Sequence, residues 1–333
     1  MYSDKDIAIV ILNWNGKTLL EQFLPSILKY SEDAKIYVAD NASTDNSVEF
    51  LKTSFPEVTI IQNSENGGYA KGYNEALQYV SEPLLCLLNS DIEVTENWLD
   101  GILTAFNSET KPDILQPKIL DYKDKSKFEY AGAAGGFIDK YGYPFCRGRI
   151  FDSIEDDKGQ YNDVIDIFWA SGACFFIKNE VFKTLNGFDE SYFAHMEEID
   201  LCWRAFNSNY KTQYVGTSTV YHVGGATLSN TNPKKTNLNF RNSLMTLVKN
   251  TDKNVFSKAI TRMLLDGVAG IRFLFQLKPL HFWAVLKAHY SFYINLSRIL
   301  KERRTLKRRS NYYQTSSIVW SYFIKKVKTF NCL

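Results

Sequence analysis

Residues 7–16 read IAIVILNWNG, with apolar side chains from Ile7 through Leu12 and then the polar turn Asn13, Trp14, Asn15, Gly16. A continuous apolar run that stops at turn formers is the pattern of a strand covered on both faces. Downstream, Leu19, Leu20, Phe23, Leu24, Ile27 and Leu28 recur at helical spacing, so Lys17 to Tyr30 forms a helix packing one stripe on that strand. The alternation continues with strands at Lys35–Ala39, Val58–Gln62 and Leu84–Leu88. Between and after them fall helices at Asp45–Phe55 behind the caps Ser43/Thr44, at Tyr69–Val80, and at Thr95–Asn107 with Thr95 as cap. Strand and helix in alternation build a mostly parallel α/β sheet.

From Asp121 to about Asp166 the periodicity fades, which predicts a long irregular connection. Regular structure resumes with a strand at Ala173–Ile177 and a helix from Asn179 to about Leu185 closed by Gly187. Thr212–Val215 and Thr219–Val223 read as two further strands. With 333 residues, 45% hydrophobic and 23% charged, the chain can bury a sizeable core, and global disorder is excluded. Five scattered cysteines give neither a disulfide framework nor a zinc spacing, and the polar Met1–Asp6 start lacks secretory-signal character; a reducing, cytoplasmic setting is expected. No window reaches the apolar length of a spanning helix, the longest, Met263–Phe275, being broken by Asp266 and Arg272.

Ligands of open α/β sheets lie beyond the carboxyl ends of the strands. Those ends carry Asn13 and Asn15, then Asp40 and Asn41, then Asn66 with Gly67 and Gly68, then Asn89, Ser90 and Asp91. Turn formation accounts for each polar residue singly, but a carboxylate ending a buried strand, as Asp40 and Asp91 do, needs a partner. Neither a Gly-x-Gly-x-x-Gly turn nor a Walker A loop follows the first strand, which argues against nicotinamide and P-loop chemistry.

These residues resemble the family-2 glycosyltransferases of the GT-A fold, closest to their bacterial rhamnosyltransferase-like members. The resemblance runs in order through IAIVILNWN (7–15), DNASTD (40–45), NGGYAKGYNEA (66–76), NSD (89–91), SGACFF (171–176), GFDE (187–190), EEIDLCWR (197–204) and HVGG (222–225). It implies a GT-A domain over residues 1–254 that moves a sugar from a nucleoside-diphosphate donor, dTDP-rhamnose or a UDP-sugar, with inversion, to a lipid-linked or growing surface glycan. By the same resemblance Asp40 accepts from the base and Asn13 lines the nucleotide pocket with Asn89. Asn66, Lys71 and Asn74 fall beside the nucleotide, although a lysine on an amphipathic helix is also simply solvated. Asp91 matches the last acid of the D-x-D element that holds a divalent cation, Mn2+ or Mg2+, and His222 can complete the shell or be a hydrogen-bonded strand-end histidine. Asn89 departs from the pattern where the first acid would stand.

Glu198 sits where the family has Asp in its Glu-Asp pair and is the expected general base, with Glu197 as second choice. Asp200 is expected to pair with Arg204, four residues on. Trp169, Ser171 and Gly172 match the acceptor side, where Trp169 either stacks on a sugar or is plain core. A silent glycan-binding scaffold and a sugar-1-phosphate nucleotidyltransferase are the rival readings; the latter lacks its Gly-rich loop after the first strand.

Charge is divided unevenly. Residues 255–333 carry 15 Lys/Arg against 2 Asp/Glu, while residues 1–254 carry 24 against 35. This helical, basic tail, which includes Lys301, Arg303, Arg304, Lys307, Arg308 and Arg309, is expected to attach to anionic membrane lipid on the inner face of the cell membrane. Docking on the acidic body or a second subunit is the alternative, and no nucleic-acid motif accompanies the run.

Overall fold

A computed structural model of the chain describes residues 1–31, 33–224 and 232–333. The elements run β1 (Ile7–Asn13), α1 (Lys17–Tyr30), β2 (Lys35–Asp40), α2 (Ser47–Ser54), β3 (Thr59–Gln62), α3 (Gly68–Ala76), β4 (Leu84–Asn89), β5 (Ile92–Val94), α4 (Trp98–Phe106) and β6 (Ile114–Asp121). Then come β7 (Gly136–Ile138), β8 (Pro144–Cys146), β9 (Arg149–Ile150), β10 (Ser153–Ile154), β11 (Val164–Asp166), β12 (Cys174–Lys178), α5 (Asn179–Thr184), α6 (Glu197–Asn207) and β13 (Thr212–His222). Four helices close the chain: α7 (Pro233–Asn250), α8 (Val255–Phe275), α9 (Pro279–Thr305) and α10 (Ile318–Phe323).

The main sheet has the order β11-β13-β6-β12-β4-β1-β2-β3, with β5 paired to β13. Strands β1, β2, β3, β4, β6 and β13 run one way, and β5, β11 and β12 run against them. Alternate residues of β1 feed two cores. Ile7, Ile9 and Ile11 pack with α1 and with Trp98, Leu99 and Ile102 of α4; Ala8 and Val10 share the opposite core with Tyr73 and Trp203. The apolar run of β1 is therefore a strand with both faces covered. Order reverses between β2 and β4 on either side of β1, which opens a crevice beyond the carboxyl ends of β1 and β4.

Several local expectations are corrected. The stretch 121–166 is not irregular throughout: β7 to β10 form a second, antiparallel sheet and β11 joins the main one. These strands are only two or three residues long, too short to show a period. Thr95 is not the cap of α4, which starts at Trp98 behind Asn97 in the left-handed region; the Thr95 hydroxyl donates instead to the Thr219 carbonyl. The two strands expected at 212–223 are one, β13, with an irregularity in its pairing to β6 between Val215 and Thr219. Strand β6, absent from the sequence reading, is buried along almost its whole length.

The basic tail packs on the body. The Tyr312 and Trp203 ring centroids lie 4.6 Å apart, the Tyr312 hydroxyl donates to the Lys140 carbonyl, the Phe330 ring packs at a tilt against Phe137 with centroids 4.9 Å apart, and the Ile318 amide donates to the buried Asp139 carboxylate. Residues on both sides of the 254/255 boundary thus share one core. Part of the cationic run is also engaged. Arg303 donates to the carbonyls of Val248 and Asp252 at the end of α7, and Arg309 donates to that of Phe206. Capping carbonyls at a helix C-terminus is favourable work for a guanidinium, so these cations serve docking rather than forming a free basic face. Among the described residues no helix is long and apolar enough to cross a membrane.

Candidate functional site

The carboxyl edge of the sheet brings Asn13, Asp40 and Asn89 to the ends of adjacent strands, with Asp91 in the turn that follows β4. Asn13 and Asp40 are register partners on β1 and β2, both buried, and the Asn13 amide donates to Asp40 Oδ1 at 3.2 Å. Asp40 Oδ2 accepts the Ser43 backbone N–H. The Asn13 side-chain oxygen Oδ1 is buried with no hydrogen-bond partner, while its backbone carbonyl accepts the Asn41 N–H. Asn15, in the left-handed region, accepts the Thr44 N–H at 2.7 Å and ties the two turns together. The result is a pair of strand-end turns held together by hydrogen bonds, with the Asp40 carboxylate fixed between Asn13 and Ser43 and Asn13 Oδ1 against Gly16.

The next turn adds the metal-type residues. Ser90 lies beside the Asn13–Gly16 turn, and the Asp91 Oδ1 to His222 Nε2 distance is 3.2 Å. His222 reaches this point because it ends β13, paired with Ile92 at the start of β5. Its Nδ1 faces Glu129 Oε2 at 3.4 Å. Burial opposes charge on the ring, but the Asp91 and Glu129 carboxylates outweigh it and push the His222 pKa up to about 10. Among the described residues no three His, Cys, Asp or Glu side chains form a complete metal cage. At this edge the Nε2 proton bridges His222 to Asp91; a cation that draws its remaining ligands from a diphosphate would take the place of that proton, with Asp91 Oδ1 and a neutral His222 Nε2 as its protein ligands and Glu129 behind the ring.

Glu197 and Glu198 open α6, where the helix N-terminus favours negative charge. The backbone entering the helix is strained: Phe193, His195 and Met196 have φ of 63°, 71° and 74°. Asn242 of α7 holds that segment by donating to the carbonyls of Tyr192, Ala194 and His195, and the Tyr69 N–H donates to Phe193. Glu197 is buried, whereas Glu198 is part-accessible, and each has one oxygen without a hydrogen-bond partner. Burial pushes Glu198 up to about 7; burial and the neighbouring Glu198 push Glu197 well above the carboxylate range. His195 is driven down to about 4 by burial and Lys235, so its ring is neutral at pH 7.

The base end and the strand-end turns meet through Gly172. A Cβ there would stand 3.8 Å from that of Glu198, the Tyr69 hydroxyl donates to the Gly172 carbonyl, and the adjoining Ala173 carbonyl accepts from the Asn89 N–H. The buried Cys146 thiol, raised chiefly by burial, feels both Glu129 and Glu198. Asp200 is held by Arg204, Lys249 and Asn250 at 2.7–3.0 Å and is a structural tie.

Other expected residues have different work. Trp169 is buried, donates to the Phe137 carbonyl and packs on Gly136, so it is core and offers no face to a sugar. Ser171 is buried in a turn, accepting the Ala173 N–H. Asn74 clamps the backbone of Phe188, donating to its carbonyl and accepting its N–H, and Lys71 is paired with Glu65 and Glu75. Asn66 accepts from the Asn41 amide and the Gly68 N–H and so fixes the start of α3. Glu129 and Tyr69 are the site residues sequence reasoning missed. Glu129 lies in the aperiodic stretch, and only the pairing of a buried acid to a distant histidine reveals it.

A model of glycosyl transferase family 2 matches residues 8–185. The chain is 24% identical over 233 residues to an N-acetylglucosaminyl-diphospho-decaprenol L-rhamnosyltransferase of Mycobacterium tuberculosis, covering 65% of this chain and 75% of that protein. It is 24% identical over 288 residues to the low-salt glycan biosynthesis hexosyltransferase Agl10 of Haloferax volcanii, covering 82% and 86%. Among solved structures it is similar to GalNAc-T7 with UDP, GalNAc and Mn2+, with a TM-score of 0.52 and 18% identity over 65% of this chain. The chain spans 42% of that neighbour's length.

Proposed function

The chain belongs to glycosyl transferase family 2, and from that premise we propose that it transfers a sugar with inversion from a pyrimidine nucleoside diphosphate, dTDP-rhamnose or a UDP-sugar, to a lipid-linked or growing surface glycan. The observation that carries the reading is Glu198: a part-accessible carboxylate with an unpartnered oxygen and a pKa near 7, beside Gly172 at the edge of the strand-end crevice. Such a group is ionised often enough at neutral pH to accept a proton and basic enough to keep it.

Asp40, held in place by the Asn13 amide, accepts from the imide N–H of a uracil or thymine base, and Asn13 lines the nucleotide side of that turn. Glu198 takes the proton of the acceptor hydroxyl as that oxygen bonds to the anomeric carbon, and the bond from that carbon to the diphosphate breaks on the opposite face. Asp91 and His222 are the residues that would hold a divalent cation, whose chemistry is to neutralise the departing diphosphate. Glu129 orients the His222 ring from behind. The strained 193–196 segment, locked by Asn242, fixes Glu198 before substrate arrives. Acceptor chemistry of this kind supports a place on the inner face of the cell membrane.

Thermal melts with UDP, dTDP and GDP, with and without Mn2+, test the donor half. A rise with a uridine or thymidine nucleotide is expected, and no rise with any nucleotide at saturation overturns the reading. Transfer by wild type but not by Glu198→Gln tests the catalytic half, since a binding scaffold would show neither.

A further inference from the structure

Helix α8 is amphipathic in the inverse sense. Its inward face is polar: Arg262 pairs with Asp266 at 2.8 Å and lies over the Tyr143 ring, whose hydroxyl donates to the same Asp266, while His289 of α9 closes on the other Asp266 oxygen. Its outward face carries Ile260, Leu264 and Val268, all exposed. At the turn into α9 every residue from Leu274 to Leu280 is exposed, Phe275 at 85% and Leu277 at 89%, and Trp283 follows at 63%. Apolar side chains left in water in such number mark an interaction surface.

The charge around this tip is of one sign. Arg272, Lys278 and Lys287 are exposed, and between Asn254 and Leu300 the single acid is Asp266, which is buried in the inward network. Farther along α9 the exposed Tyr290 and Tyr293 lie on the outward side. An apolar ridge with aromatic shoulders and a cationic rim matches the boundary between acyl chains and anionic headgroups. The same rim disfavours a second copy, because like charges would meet.

We propose that the α8–α9 hairpin is the membrane-docking element of this protein, its exposed tip, residues 274–280 with Trp283, entering an anionic bilayer surface while the rest of the basic tail stays on the body. The proposal rests on the reading of the acceptor as lipid-linked for its purpose, and it replaces a diffuse basic tail with one defined face. The hairpin is one helix away from the catalytic loop. Thr236 and Asn237 of α7 bond to His281 and Ala284 of α9, and Asn242 of α7 holds the carbonyls of Tyr192, Ala194 and His195. A lipid carrier in the bilayer would then present its head near Glu198.

The test is co-sedimentation of the full chain with phosphatidylglycerol vesicles and with phosphatidylcholine vesicles. Binding to the anionic vesicles is expected, weakened by salt on raising it from about 0.1 to about 0.5 M, and lowered by about tenfold or more in Phe275→Asp/Leu277→Asp. Both positions are exposed, so an unchanged melting temperature verifies the fold. Lys278→Glu/Lys287→Glu should lower anionic binding in the same way. Undiminished binding by either double variant, equal binding to neutral vesicles, or a lipid-free dimer that the apolar variant dissociates overturns the proposal. Transfer to a soluble glycan, measured alongside, separates the two readings. A chain that transfers but ignores vesicles overturns the hairpin alone, and one that docks through the hairpin but transfers nothing overturns the function alone.

Discussion

Replacing Glu198 with glutamine should remove activity and stabilise the protein in the same stroke. The carboxyl is pushed from an ordinary 4.5 to about 7 because burial disfavours its charge, while burial and Glu198 push the neighbouring Glu197 well above the carboxylate range. A base must be ionised, so kcat/KM should rise about tenfold between pH 6 and pH 8, following the ionised fraction of a group with pKa about 7. Glu198→Gln should lose about 10²–10⁴-fold in kcat and with it this acid limb. Glu197→Gln, which replaces a buried carboxyl held well above the ordinary carboxylate range, should keep the limb. For stability the sign is opposite. A carboxyl whose folded pKa is raised destabilises the fold in its ionised form, so wild type is favoured below pH 4.5 and loses stability as pH climbs through 7. Glu198 is part-accessible, which discounts the full shift, and Glu198→Gln should gain on the order of 2 kcal/mol at pH 8 and nothing near pH 4. Paired melts at the two pH values beside a pH–rate profile read both effects. A flat wild-type profile from pH 6 to 8, or a limb that vanishes in Glu197→Gln and survives in Glu198→Gln, refutes the assignment.

Three further outcomes follow from contacts. Glu129→Gln withdraws one of the two carboxylates flanking His222 and should weaken Mn2+ binding by about 10–100-fold, read by Mn2+ titration without donor; unchanged affinity removes Glu129 from the site. Asp40→Asn puts a donor where an acceptor is needed, so calorimetry should show UDP or dTDP affinity falling about tenfold or more; because the Asn13 amide and the Ser43 N–H each donate to a different Asp40 oxygen, the variant should also lose about 1–3 kcal/mol of stability, and unchanged affinity removes Asp40 from the base site. Tyr312→Ala removes a ring packed on Trp203 together with its bond to Lys140 and should cost about 3 kcal/mol in urea unfolding, whereas a tail loosely attached to the body would show no change.

The strand-helix alternation of the first hundred residues, and the polar residues that end each strand, are legible in the sequence because strand period, helix period and turn chemistry are local properties. So is the Asp200–Arg204 tie, a contact within one helical turn. What each of those residues touches is decided by tertiary structure. Trp169 is core because Gly136 lets a backbone approach its ring, and Asn74 and Lys71 turn away from the crevice because Phe188, Glu65 and Glu75 claim them. Glu129 joins His222 only because the chain returns across more than ninety residues. The tail shows the same limit most clearly: its composition announces charge and aromatics. Only the packed chain decides that Arg262 and Asp266 face inward, where each neutralises the other, and that Phe275, Leu277 and Trp283 are left facing out. Period tells which residues share a face; only partners distant in the chain determine which face is buried.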